Sequence, residues 1–212
     1  MSNELVIDMH TLGMWQANCY VVHAGGPDCW IVDAGFDPES MIAAIEAADL
    51  TPTHLLLTHG HIDHIAGIET VRSKWADLPI LIHEAESTYL TDPDNNLSGP
   101  FGMPIVAPEA TGTLEAGGAL TIGDYTFEIR HTSGHSPGGV TLYCRQTGEA
   151  IVGDTLFAGS VGRHDFPHSD GPTLFQSIRE QLLTLPDETA VYPGHGPATT
   201  VGTERRSNPF LD

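Results

Sequence analysis

The sequence predicts a layered α/β fold in which two β-sheets pack face to face with helices outside. Three observations lead there. The apolar runs are short and bounded by Gly, Pro and Asp, as strands of a layered chain are. Segments with helical spacing of apolar residues fall among them. The succession of strands followed by a helix occurs in both halves of the chain. At 212 residues, with no break in composition that would mark a linker, a single domain over residues 1–212 is expected.

The elements follow in order. Strands are expected at Leu5–Ile7, Cys19–His23 and Trp30–Asp33. Pro38–Ala48 has a helical face of Met41, Ile42, Ile45 and Ala48. His54–Thr58 reads as a buried strand, and Asp63–Trp75 as a helix carrying Ile65, Ile68, Val71 and Trp75 at suitable spacing. Pro79–Ile82 is a short strand and His83–Leu90 a short helix. Residues 91–112 are rich in Pro, Gly and Asn and too long for a mere connector, so they are expected to shape entry to a site. Strands near Ala119–Ile122, Tyr125–His131, Gly139–Cys144 and Ala150–Val152, a helix over Thr173–Leu185 and a strand at Ala190–Tyr192 complete the chain.

Twenty-eight acidic residues against eight basic ones give a formal charge of −20, and Lys74 is the only lysine. Such a balance opposes binding to nucleic-acid phosphates, which depends on Lys and Arg, and to anionic membrane surfaces. No basic stretch followed by an apolar one opens the chain, and no run reaches the length of a membrane span. Cys19, Cys29 and Cys144 are sparse, odd in number and without metal-type spacing, which reads as reduced core thiols. A cytoplasmic protein is expected.

The chemistry gathers at Thr58-His59-Gly60-His61-Ile62-Asp63-His64. In an extended segment residues i and i+2 point the same way, so His59 and His61 can converge on one ion. A helix beginning near Asp63 would place Asp63 and His64 on another side of the same pocket. Imidazole nitrogens and carboxylate oxygens are the usual ligands of Zn, Fe and Mn. Three further residues stand after strand-like segments or in Gly/Pro turns: His135 in HTSGHSPGG, Asp154 in AIVGDTLFAG and His195 in VYPGHGP. Strand ends of layered α/β folds gather at one edge, where sites form. If Asp154 bridges, one ion takes His59, His61, His135 and Asp154, and a second takes Asp63, His64, His195 and Asp154. Two divalent ions, two aspartates and a bridging hydroxide leave the site net positive, suited to a developing oxyanion and an anionic leaving group. Paired ions roughly 3.5–4 Å apart also draw the pKa of bound water toward about 7. Asp33, in VDAG, and Thr58 are candidates to orient the ligating imidazoles.

The ordered set of HxHxDH, a later His, an Asp and a final His in PGHG resembles the metallo-β-lactamase superfamily over about residues 17–211. Within it, the segments ANCYVV (17–22), GDTLFAGSVGRHDFP (153–167) and GPATTVGTERRSNPFL (196–211) resemble the glyoxalase II-like hydrolases, the hydroxyacylglutathione hydrolases. The resemblance implies an αββα four-layer sandwich of two mixed sheets, in the subgroup without the C-terminal helical region of longer glyoxalase II enzymes. It implies two divalent ions on the seven residues above, with Asp63 holding metal and positioning water. Asp at 154, where true metallo-β-lactamases usually place Cys or another residue, argues against antibiotic hydrolysis. The chain departs from its relatives at SGHSPG (133–138) and at GRHDFPHS (162–169), where His164 and His168 are additional. Arg163 is a candidate clamp for a substrate carboxylate, in competition with an internal pair to Asp165, and His164 a candidate neighbour of the substrate.

The implied reaction is attack of metal-bound hydroxide on an acyl thioester, S-lactoylglutathione or a related one. A thiolate, from a thiol of pKa about 8.5, departs without a dedicated acid, whereas an amide nitrogen would need protonation. The runner-up is a persulfide dioxygenase with a single Fe(II) on His59, His135 and Asp154. Lactone, other ester or phosphodiester hydrolysis, and a non-catalytic metal-binding role, stand behind these.

Overall fold

The structure is a computed structural model that describes residues 4–211. The outer bounds of the expected 1–212 domain, and the first three residues of the stretch searched for an export signal, lie outside the described residues. No helix among them is long and apolar enough to cross a membrane. The chain divides into two compact units, one running to Leu114 and taking in Thr121–Tyr125, the other comprising Glu115–Leu120 and the chain from Thr126.

The first unit is built on a six-stranded sheet, β1 (Leu5–Leu12), β2 (Ala17–Ala24), β3 (Asp28–Val32), β4 (Thr51–Leu56), β5 (Ile80–Ile82) and β6 (Gly112–Thr113), in that spatial order. β1, β2 and β3 are antiparallel, and β3 to β6 run parallel. Parallel neighbours need crossovers. Helix α1 (Glu39–Ala47) crosses from β3 to β4, while α2 (Ile62–Ile65) and α3 (Ile68–Lys74) cross from β4 to β5. The crossover faces carry the apolar spacing read from the sequence: Met41, Ile42, Ile45, Ile65, Ile68 and Val71 join Val21, Ile31, Leu55 and Ile80 in one core.

Two expectations need correction here. The helix expected over 63–75 is two helices, because Gly67 passes so close to Gly35 that an added Cβ would stand 2.2 Å from its carbonyl oxygen. The helix expected over 83–90 is a single 3₁₀ turn at Glu84–Glu86. β1 is longer than the apolar run Leu5–Ile7 because all eight of its residues pair with β2, from Leu5 with Ala24 to Leu12 with Ala17. Its polar positions face outward on an edge strand, which hydropathy alone does not mark.

A second six-stranded sheet has the order β14-β13-β10-β9-β8-β7, and all of it but its residues within 121–125 belongs to the second unit. Its strands are β7 (Ala119–Ile122), β8 (Tyr125–His131), β9 (Val140–Cys144), β10 (Glu149–Gly153), β13 (Ala190–Pro193) and β14 (Thr199–Thr200), and a hairpin of β11 (Leu156–Phe157) and β12 (Ser160–Val161) follows β10. β8, β9 and β10 are antiparallel, and β10 and β13 parallel. Helix α4 (Gly171–Ser177) starts at an Asp170 cap that accepts the Thr173 N–H at 2.7 Å, and a π-helical turn at Ile178–Leu182 continues it. Helix α5 (Val201–Ser207) is capped by Thr200. Leu174, Ile178, Leu182 and Val201 pack with Ala150, Val152, Leu156 and Val191.

Candidate metal centre

In the first unit the polar residues follow the carboxyl ends of two adjacent parallel strands, the usual location of a site in an open α/β sheet. β3 delivers Asp33 and β4 delivers Thr58 and His59, and the strand ends are tied by Asp33 N–H donating to the Leu56 carbonyl at 2.9 Å. His61 keeps extended backbone as the cap of α2, which carries Asp63 and His64. Ligand atoms of His59 and His61, of His59 and His64, and of Asp63 and His64 lie within 4.8 Å of one another. The three imidazoles are almost wholly buried. The alternation and the helix start read from HGHIDH therefore gather these four side chains into one cluster of ligand-type groups.

The hydrogen bonds fix which ring nitrogen faces the cluster. Asp33, in the left-handed region at φ 62°, accepts the Thr58 N–H on Oδ1 at 2.8 Å and the Thr58 hydroxyl on Oδ2 at 2.7 Å. Its Oδ2 also accepts from His64 Nδ1 at 2.8 Å. A carboxylate only accepts, so His64 carries its proton on Nδ1 and its lone pair on Nε2. The Thr58 proton is spent on Asp33, so the hydroxyl accepts from His59 Nδ1 at 3.2 Å, which sets the same tautomer in His59. Outer hydrogen bonds of this kind orient metal ligands and raise their basicity.

Glu86 has no counterpart in the sequence reading. Wholly buried, its Oε2 accepts the N–H of Gly60, between His59 and His61, at 2.5 Å. Gly60 has no room for a side chain: a Cβ would stand 2.7 Å from that of Tyr89. Tyr89 stacks near His61, and burial, reinforced by Glu86 and Asp92, pushes its phenol up to about 12. In the sequence Glu86 is one acid among several in a short polar stretch, and only folding distinguishes it. The loop over 91–112 is likewise built in. The Asn96 carbonyl accepts the N–H of Ile62 at 2.9 Å, and its amide donates to the carbonyls of Tyr89 and Ile105 at 2.8 and 3.1 Å.

In the second unit Asp154 follows β10 and His195 follows β13, again at the carboxyl ends of adjacent parallel strands, with Gly194 N–H donating to the Gly153 carbonyl at 2.8 Å. His135 lies in the β8–β9 connection. One oxygen of Asp154, Oδ2, stands 3.6 Å from His135 Nε2 and 3.5 Å from His195 Nε2. His135 Nδ1 donates to the Arg163 carbonyl at 2.7 Å, leaving the lone pair on Nε2, the nitrogen nearer Asp154.

Arg163 and His164 line an open pocket of about 440 Å³ with Ser160, Gly162, Asp165 and Phe210. The Arg163 guanidinium forks onto Asp165 at 2.9 and 3.1 Å, which holds that carboxyl below the usual carboxylate range. His164 donates from Nδ1 to the Gly162 carbonyl at 3.3 Å and meets Phe175 edge-on, over the space that Gly171 leaves at the start of α4. His168 is exposed in a left-handed turn.

The family model described as the Metallo-beta-lactamase superfamily matches residues 12–195. The chain is 42% identical to the probable metallo-hydrolase YqgX of Bacillus subtilis over 202 residues, 95% of each chain. It is 35% identical to the hydroxyacylglutathione hydrolase GloC of Haemophilus influenzae, over 97% of this chain and 98% of that one. The solved structure of BLEG-1 B3 metallo-beta-lactamase matches with a TM-score of 0.93 at 39% identity, over 97% of this chain and 99% of that one. The chain belongs to the metallo-beta-lactamase superfamily, and its fold class is that family's αββα sandwich. The donor set fits a divalent ion: imidazoles presented through Nε2 and carboxylates beside them, with the far ring nitrogens held by Asp33, Thr58 and the Arg163 carbonyl.

Proposed function

We propose that the protein is a metal-dependent thioesterase, acting on S-lactoylglutathione or a related acyl thioester. Seven residues, His59, His61, Asp63, His64, His135, Asp154 and His195, hold two divalent ions in this reading. The observation that carries it is the place of Asp154 Oδ2, 3.6 and 3.5 Å from two imidazole nitrogens, where a carboxylate shared between ions would stand. The relatedness to a hydroxyacylglutathione hydrolase supports the substrate class.

The ions, when bound, supply a water deprotonated near neutral pH and positive charge for a carbonyl oxygen. The chain contributes the rest. Asp33, Thr58 and the Arg163 carbonyl keep His64, His59 and His135 in one tautomer, so no proton must be moved before ligation. Asp63, the least buried of the acids around the first cluster, would in this reading hold metal and position the attacking water. Nothing acidic is needed on the leaving side, because a thiolate departs unprotonated and an amine does not. That difference favours a thioester over the β-lactam suggested by the likeness to BLEG-1. The charge of −20 favours a small-molecule partner over nucleic acid or an anionic membrane, and a cytoplasmic setting agrees with the three free thiols.

The test sets three assays side by side on zinc- and iron-loaded protein: S-lactoylglutathione hydrolysis, oxygen uptake with glutathione persulfide, and opening of a chromogenic cephalosporin. Thioester hydrolysis is expected to exceed the other two by at least an order of magnitude. Asp154→Asn should lower it by more than the roughly 10–100-fold that losing a residue behind a metal ligand costs. Oxygen uptake or cephalosporin opening as the dominant activity, or full activity in Asp154→Asn, contradicts the reading.

A further inference from the structure

Residues 162–170 close around His135, and every contact lies within the second unit. The Arg163 carbonyl accepts the Nδ1 proton of His135 at 2.7 Å. Ser169 Oγ donates to the His135 carbonyl at 2.6 Å, and Asp170 N–H donates to the carbonyl of Gly134 at 2.7 Å. The Phe166 ring meets the imidazole edge-on, with centroids 6.1 Å apart at 76°. Gly162 passes where a Cβ would stand 3.3 Å from that of His135. Ring, ring nitrogen and backbone are thus each held by one segment.

That segment has no regular structure between β12 and α4 to keep its curve. Arg163 supplies the brace. Its guanidinium forks onto Asp165, Nε to Oδ1 at 2.9 Å and Nη2 to Oδ2 at 3.1 Å, and its central carbon lies 3.9 Å from the centre of the Phe166 ring. The fork is the edge with which Arg recognises a carboxylate, and here it is satisfied within its own turn. The face is spent on the same aromatic ring that abuts His135. A residue tied in this way sets the direction of its own carbonyl.

We propose that Arg163 is a positioning residue: braced on Asp165 over Phe166, it holds its own carbonyl against His135 and so fixes that imidazole for metal, instead of clamping a substrate carboxylate. The inference rests on the metal-centre reading above. An exposed ion pair adds little to global stability by itself, so losing the brace should appear in the setting of His135 more than in unfolding.

The experiment compares the metal-loaded full-length protein with Arg163→Ala, Asp165→Asn and Arg163→Lys. Three quantities are read: the rate of metal loss to a chelator, the exchangeable imidazole N–H resonances of the cobalt-loaded protein, and KM against kcat for S-lactoylglutathione. Arg163→Ala and Asp165→Asn are expected to lose metal about tenfold faster than wild type. One imidazole N–H resonance should broaden through faster exchange, kcat should fall, and KM should move less than twofold. Arg163→Lys, which keeps the charge without the fork, should fall between. Unchanged metal loss and N–H signals in both variants overturn the proposal, and a tenfold rise in KM with kcat intact replaces it with the substrate clamp. A wild-type protein that holds no metal overturns the metal-centre reading and this inference together, and is recognised before any variant is made.

Discussion

Asp33 concentrates much of the first cluster's order in one side chain. It accepts three hydrogen bonds from two residues, and through them sets the tautomers of His64 and His59. Replacing it by Asn keeps the size but offers an acceptor on only one side of the amide. Partners of this kind typically cost about 10–100-fold in metal affinity or activity when removed. Asp33→Asn should therefore bind zinc about that much more weakly in a competition titration, while unchanged affinity would assign Asp33 a purely backbone-capping role through Thr58. At this scale legibility followed the chain. The HxHxDH cluster was readable because its members are neighbours and need only local geometry to meet. Asp33 and Thr58 were visible as polar residues ending apolar strands. Glu86 was not, since a buried carboxylate bound to the Gly60 N–H leaves no pattern in its own neighbourhood. The Arg163 carbonyl was out of reach for another reason: main-chain atoms are the same in every residue, and only the fold aims them.

At the scale of elements the recurring device is the end of a parallel strand beside the end of its neighbour. β3 and β4 present Asp33 and His59, and β10 and β13 present Asp154 and His195. The apolar strands were legible because burial on both faces writes continuous hydrophobic runs, as in Leu55, Leu56 and Leu57. The two-residue strands β6, β11, β12 and β14 were not, being too short to carry a period. The break between α2 and α3 was missed because helical spacing continues across it, from Ile65 to Ile68. What stops the helix is tertiary: Gly67 N–H donates to the Ala34 carbonyl at 2.8 Å, and the backbone of Gly35 excludes any side chain at 67. Gly67→Ala should therefore destabilise the protein by about 1–3 kcal/mol, the usual cost of overpacking, although alanine is the better helix former. Chemical denaturation measures it, and a stabilised variant would show that the break is a matter of helix propensity alone.

For the molecule as a whole, the family model crosses both units, from residue 12 to residue 195, and each unit carries part of the proposed ligand set. A single domain over the full chain is our proposal. Fold class was legible because the order of apolar runs survives in sequence, whereas the division into units depends on contacts far apart in the chain. The buried thiols make one global prediction. Burial pushes Cys19 and Cys29 from an ordinary 9.0 up to about 12, with Asp33 beside the former and Asp28 beside the latter adding to it. Because the folded values are raised, the stability these groups support is fully present below pH 9 and is lost as pH climbs toward 12. Each thiol should lower the folded-to-unfolded ratio about tenfold per pH unit in that window. The urea midpoint should fall between pH 9 and 11, and less steeply in Cys29→Ala. An equal slope in that variant would remove Cys29 from the account.

The most direct measurement of the central claim is anomalous scattering from crystals of protein loaded with zinc or iron. Two metal peaks about 3.5–4 Å apart, with Asp154 between them and His59, His61, His135 around one and Asp63, His64, His195 around the other, are the predicted result. No peak within bonding distance of Asp154, or metal held by other side chains, would contradict it.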